Sequence, residues 1–229
     1  MYWQEKTENA AYVVPDDVVD LLYRVDAPRL PLDHAWALRE ALLARLPWLA
    51  DEPLAGIHLI HGAESGNGWE RPSNPNSDVL HLPRRARMAL RLPKKRIEDA
   101  GALTGVALDI AGHPLTVGES SVRPLAALST LFARYVAGDE RDEETFVDSC
   151  YRQLRDVGIV VRKLLCGRSH DLRTPEGPVH TRSLMLAELD VEDSVRLQQH
   201  GLGPHRTLGC GLFLAHKSIR AVNPAAADD

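Results

Sequence analysis

Two adjoining stretches, Val18-Val19-Asp20-Leu21-Leu22-Tyr23-Arg24-Val25 and Leu30-Pro31-Leu32-Asp33-His34-Ala35-Trp36-Ala37-Leu38, set the reading of the whole chain. The first is rich in branched residues and reads as a strand. In the second, Pro31 and Asp33 open a helix. Asp33 is placed to cap it, and Ala35, Leu38, Leu42 and Leu46 recur at helical spacing, which predicts a buried stripe ending near Pro47.

Outward from this strand–helix pair, Gly56 to His61 reads as a second strand, followed by a polar loop through Gly66, Gly68, Pro72 and Pro75. Ala86 to Leu92 alternates imperfectly between basic and apolar residues and predicts a half-buried third strand. Pro93 starts a helix carrying Ile97, Ala100 and Leu103. Val106 to Ile110 and Leu115 to Val117 close this half as a strand or hairpin. The order then repeats. Val122 to Val136 is strand-like, and Asp139 to Val157 is an amphipathic helix with Phe146, Cys150 and Leu154 on one stripe. Val160 to Leu165 and Thr181 to Leu189 read as strands around a loop with Pro175, Gly177 and Pro178. Asp190 caps a short helix bearing Val191 and Val195, and Leu208 to Ile219 is a glycine-rich loop entering a last strand. Both halves thus read strand-helix-strand-strand-helix-strand, which predicts an α+β chain of two tandem ferredoxin-like (RRM-like, βαββαβ) domains. Their expected bounds are 1–118 and 119–220, with a flexible tail over 221–229.

Composition limits the function classes. With 44% hydrophobic residues among 229, a sizeable core is expected. No stretch approaches the ~20 apolar residues of a membrane helix, and the first residues lack the basic and apolar regions of a signal peptide. The three cysteines, Cys150, Cys166 and Cys210, are far apart, which suits a reducing cytoplasm and gives neither a disulfide framework nor a cysteine zinc site. His58 and His61 have H-x-x-H spacing, but residues three apart on a strand face opposite sides, so no metal site is expected. The net charge of −5 conceals an asymmetry. Arg84, Arg85, Arg87, Arg91, Lys94, Lys95 and Arg96 form a basic run, whereas Asp139 to Asp148 is acidic. A local basic patch can hold phosphates on an acidic protein, because salt screens charges beyond roughly 8 to 10 Å. Such a run also forms plain solvated faces.

The C-terminal segment Gly201-Leu202-Gly203-Pro204-His205-Arg206-Thr207-Leu208-Gly209-Cys210-Gly211 is the most specific feature. Its two G-x-G units allow sharp turns and close backbone approach, so its amides, with His205 and Arg206, offer a phosphate cradle. A bulged hairpin is the alternative. The loop resembles the glycine-rich loop of the repeat-associated RNA-binding Cas proteins. The runs Cys166 to His170, Thr174-Pro175, His180 to Met185 and Ser194 to Gln199 resemble one branch of them, the MYXAN-type subfamily of the sixth Cas family. These are the endoribonucleases that process CRISPR repeat RNA. Leu30 to Leu38 is similar to that family's first helix, where a catalytic histidine often sits, and the likeness runs from Tyr2 to about Ile219.

What the resemblance implies is an enzyme that holds a repeat hairpin and cuts precursor RNA on its 3′ side. Family cleavage uses the ribose 2′-hydroxyl, needs no metal or cofactor, and leaves a cyclic phosphate and a 5′-hydroxyl. The expected partners are the repeat hairpin, as precursor and as mature guide RNA, and other Cas effector subunits in a prokaryotic cytoplasm; a non-cleaving hairpin-binding subunit is the rival reading. His34 is the first candidate for acid or base, since an imidazole with pKa near ~6.5 moves protons at neutral pH. Tyr23 stands where some relatives carry an assisting tyrosine. Ser183, Lys163 and His180 are candidates to orient the scissile phosphate. For RNA phosphates the candidates are Arg84, Arg85, Arg87, Arg168, Arg182, Gly203, His205, Arg206, Gly209, Gly211 and Lys217, and Trp69 is a candidate to stack on a base.

Overall fold

The computed structural model describes residues 12–62 and 79–216. In chain order the strands of the first half are β1 (Val18–Asp26), β2 (Arg29–Pro31), β3 (Gly56–His58), β4 (Val79–His81), β5 (Arg87–Pro93), β6 (Ala107–Ile110) and β7 (His113–Pro124). Its helices are α1 (Ala35–Leu43) and α2 (Ile97–Gly101). The second half comprises β8 (Leu131–Ala137), α3 (Glu143–Asp156), β9 (Lys163–Leu172), β10 (Val179–Ala187), α4 (Val191–His200) and β11 (Leu214–Ala215). One antiparallel sheet has the order β3-β5-β1-β7-β6, the other β11-β8-β10-β9, and β2 pairs with β4 as a small separate ribbon.

Alternation along β1 decides which way the first sheet faces. Val19, Leu21, Tyr23 and Val25 point to one side, where they pack with Leu38 and Leu42 of α1 and Ala100 of α2. Each such leucine removed from water contributes about 1.5–3 kcal/mol. The second half is built likewise: Leu131, Ala133, Leu184 and Leu186 meet the Phe146, Cys150 and Leu154 stripe of α3 and Leu197 of α4. Helix α3 begins where its chemistry dictates. The Asp142 carboxylate accepts the Thr145 N–H at 3.0 Å, and Glu143 and Glu144 face the positive end of the helix. Part of the acidic run therefore serves helix initiation.

Several expected boundaries move. Val122 belongs to β7, not to a strand of the second half; pairing with β1 continues to Pro124, so the break expected after 118 falls inside a strand. Strand β9 starts at Lys163 and runs to Leu172, well past the expected Leu165. The small β2–β4 ribbon was not anticipated. His34, not Asp33, is the N-cap of α1, and Asp33 instead faces Arg173 at 3.6 Å.

The two halves meet across the other side of the first sheet, and buried charge joins them. Arg91, fully buried on β5, donates to Asp20 at 2.8 and 3.1 Å, and to the carbonyls of Gln198 and Phe213, both at 2.8 Å. Asp20 also receives Arg123 at 2.9 Å and meets His58 at 3.2 Å. Burial opposes its ionisation, but the His58 ring and the Arg91 guanidinium overcome this and hold the carboxyl well below the usual range. A second tie comes from Arg206, which donates to the carbonyls of Ala55, Leu54 and Gln199 at 3.0–3.1 Å. Burial, with Arg91 nearby, lowers its pKa to about 10, so it stays charged at neutral pH.

Candidate active site

His34 sits where the chain enters α1, and it is buried, only 3% exposed. Its Nε2 accepts the Ile60 N–H at 3.2 Å, so the ring proton lies on Nδ1, which donates to the Pro31 carbonyl at 3.0 Å. The imidazole thereby pins the segment following β3 against the start of α1. That segment carries His61, half-buried, whose ring lies 6.5 Å from Tyr135 of β8; Tyr135 in turn lies 5.7 Å from the ring of His170 on β9. Burial pushes His61 down to about 3, aided by the charge of the neighbouring Arg134. Imidazoles from the segment after β3 and from β9 thus flank one tyrosine where the two halves meet.

The glycine loop braces both walls of this cluster. Gly211 donates its N–H to the Tyr135 carbonyl at 2.7 Å. Gly209, at φ +86°, lies so close to Leu59 that a Cβ there would come within 2.7 Å of the Leu59 side chain. Gly203 packs toward the Ala137 carbonyl in the same way. The amides of Gly201, Leu202, Gly209, Cys210 and Gly211 all go to protein carbonyls. This corrects the phosphate-cradle expectation for Gly209 and Gly211: their amides hold the fold. Arg206 is corrected likewise, since its guanidinium is turned inward onto backbone carbonyls. His205 remains exposed, in the left-handed region at φ 66°.

Two grooves approach the cluster along the open side of the first sheet. One, of about 660 Å³, is lined by Arg24, Arg84, Arg85 and Arg87 with Pro83 and Gly118; the other, of about 330 Å³, shares Pro83, Arg85 and Arg87 and continues to Arg123, His58 and His61. Together they form an arginine-lined track ending at an imidazole. The rest of the expected basic run lies elsewhere. Arg91 is the seam residue described above, Lys94 pairs with Asp16, Lys95 lies 3.4 Å from Glu52, and Arg96 pairs with Asp99 at 2.8 Å while stacking over Trp48.

The other candidates separate. Tyr23 is fully buried, its hydroxyl donates to the Ala100 carbonyl at 2.7 Å, and burial pushes the phenol pKa up, so it is a core residue and not a catalytic one. Ser183 lies at the β10 irregularity, with its Oγ over Gly167. Arg182 is held by Glu143 at 3.4 Å and by the Arg141 carbonyl at 2.9 Å. His180 bridges Asp171 at 2.6 Å and Arg141 at 2.7 Å, and Lys163 pairs with Glu188. Arg168 is exposed on β9. Lys217 and Trp69 lie outside the described residues. Sequence reasoning missed Arg24, Arg123, Arg134, Tyr135 and His170, and met His61 only as half of a metal motif. Strand alternation offered a signal for Arg24, two residues after Leu22 on the same side; nothing local marked the others.

The profile of the family described as Cas6 Crispr matches residues 19–218. The chain belongs to the Cas6 family. It is 34% identical over 197 residues to the CRISPR-associated endonuclease Cas6 of Myxococcus xanthus (strain DK1622), covering 86% of this chain and 80% of that protein. Its fold resembles a solved CRISPR-associated protein Cas6, with a TM-score of 0.59 at 10% identity, covering 87% of this chain and all of the other. A structure described as an RAMP protein binding different RNA substrates gives a TM-score of 0.58 at 16% identity, covering 87% of this chain and 98% of the other. Among the described residues of this Cas6 protein, no helix is long and apolar enough to cross a membrane.

Proposed function

We propose that this protein is a metal-independent endoribonuclease that holds the hairpin of CRISPR repeat RNA and cuts precursor RNA on its 3′ side. The nucleophile is the ribose 2′-hydroxyl, and the products carry a cyclic phosphate and a 5′-hydroxyl. The carrying observation is the arginine-lined track that ends at imidazoles: guanidinium groups suit phosphates, and an imidazole suits the proton transfer. His34 belongs to this site, with its tautomer set by Pro31. The architecture supporting the reading is two ferredoxin-like domains. In each half the four main strands are ordered fourth, first, third, second, as β7-β1-β5-β3 and β11-β8-β10-β9. The first domain ends with β7, and the exposed Arg168 and His205 extend the RNA surface onto the second, with Lys217 as a further RNA-binding residue. The Myxococcus relative is named an endonuclease, which agrees.

The test uses end-labelled repeat RNA incubated with the protein in EDTA, beside an RNA carrying 2′-deoxyribose at the cut. Cleavage of the first RNA alone is the expected result. A requirement for added metal, or cleavage of the deoxy substrate, overturns the reaction class. The second reading is a subunit that binds the hairpin without cutting it, and one observation favours it: both His34 nitrogens are already taken by backbone groups. Tight binding without product in every buffer selects that reading.

A further inference from the structure

We propose that the imidazole of His61 is the group that takes the 2′-hydroxyl proton, and that His34 is a positioning residue behind it; this rests on the endoribonuclease reading above. The two rings are placed differently. His34 is 3% exposed, donates from Nδ1 to Pro31 and accepts at Nε2 from Ile60. To move a proton it would have to release the N–H that holds its own neighbouring segment. His61 is the residue which that segment carries into the groove, where it stands with Arg85, Arg87 and Arg123. A phosphodiester bound by those guanidinium groups brings its ribose to the His61 end of the groove. The ring of Tyr135 lies 6.5 Å from that of His61, and the Tyr135 backbone is held by the Gly211 N–H at its carbonyl.

The chemistry balances with this single imidazole. The 2′-oxygen bonds to phosphorus as its proton passes to His61. The bond from phosphorus to the 5′-oxygen breaks, and that oxygen takes a proton from solvent water, leaving the cyclic phosphate. The imidazolium then returns its proton to the hydroxide so formed. In the free protein, burial and the neighbouring Arg134 keep His61 unprotonated but also weaken it as a base. The anionic phosphate works in the opposite direction to those groups and raises the basicity of the ring as substrate arrives.

Single-turnover cleavage of the repeat hairpin in EDTA tests the assignment, with wild type, His61→Ala, His34→Ala and His34→Gln compared alongside their RNA affinities and melting temperatures. His61→Ala is expected to slow cleavage by ~10²- to 10⁴-fold with RNA affinity retained, and added imidazole to restore part of the rate. His34→Gln, whose amide can donate to Pro31 and accept from Ile60, is expected to keep more activity than His34→Ala. Undiminished cleavage by His61→Ala overturns the proposal. So does loss without imidazole rescue, or a His34→Gln variant that is inactive while His61→Ala cuts. If wild type binds the hairpin and yields no product, the endoribonuclease reading fails before the histidines are compared, and this assignment falls with it.

Discussion

Arg87 and Arg91 lie on one strand and point to one side of one sheet, yet they do opposite things. Arg91 is fully buried in the seam, satisfied by Asp20 and by two carbonyls of the second half. Arg87, two strand repeats earlier on β5, is exposed and lines both grooves. The difference is what covers each. Over Arg91 sit the end of α4 and the chain entering β11, which bring carbonyls and exclude water. Over Arg87 there is open groove, so its charge is available to an anion. One face of one sheet is therefore divided into a structural seam and an interface.

The largest expected effect is at the seam. Removing one partner of a buried ion pair leaves the other charge uncompensated and costs about 3–5 kcal/mol. Arg91→Ala should lower the free energy of unfolding by that order, read from the urea midpoint. A loss below about 1 kcal/mol would place Arg91 among ordinary surface charges and erase the distinction.

The next effect is pH-dependent and involves both regions. Burial lowers the pKa of His58, at the seam, and takes His61, in the groove, down to about 3. A histidine whose folded pKa lies below its unfolded value of about 6.5 binds a proton in the unfolded chain first. Stability is then fully present above about pH 6.5 and is lost as pH falls toward the folded value. The Asp20 carboxyl, held low, adds a further loss only below its unfolded pKa, about 3.9. Stability measured by urea between pH 7 and pH 4 should fall steadily, and His61→Ala should flatten that slope. An unchanged slope would mean that His61 is protonated as readily in the folded protein as in the unfolded one.

The same division explains what could be read from the residues alone. The strand–helix alternation around Val18 and Ala35 was legible because each element buries one side, and burial leaves a period in the sequence. The basic run was legible as charge but not as function. Whether Arg87 or Arg91 meets solvent depends on which carbonyls of the other half arrive above it, and no local pattern records that. The glycine loop misled for the same reason. Gly209 and Gly211 do permit close approach, but what approaches is Leu59 and the Tyr135 carbonyl. His34 was found through its place at the helix start; its two backbone partners come from Pro31, nearby, and from Ile60, on a segment far along the chain. His61, Tyr135 and His170 come from three separate segments, so their meeting is a property of the assembled halves.

On the groove side, Arg84→Ala combined with Arg85→Ala should weaken RNA binding and leave the melting temperature within error. The logarithmic salt slope should flatten by roughly 0.7 for each single-strand phosphate that is no longer neutralised. Measured by filter binding across a salt series, an unchanged slope would remove these residues from the interface.

The smallest effect is the sharpest test of the division. Arg24 of β1 stands directly opposite Arg87 of β5, and like charges in that position repel. A sheet arranged only for stability would gain by replacing one of them. Arg24→Gln should therefore raise stability by a few tenths, up to about 1 kcal/mol, while RNA affinity falls. Because both side chains are exposed, the gain should shrink as salt rises and screening removes the repulsion it relieves. Gain of stability with loss of binding would show that the pair is kept for an anion lying across both strands. A variant that is less stable and binds RNA as before would make Arg24 a packing residue and end the track at Arg87.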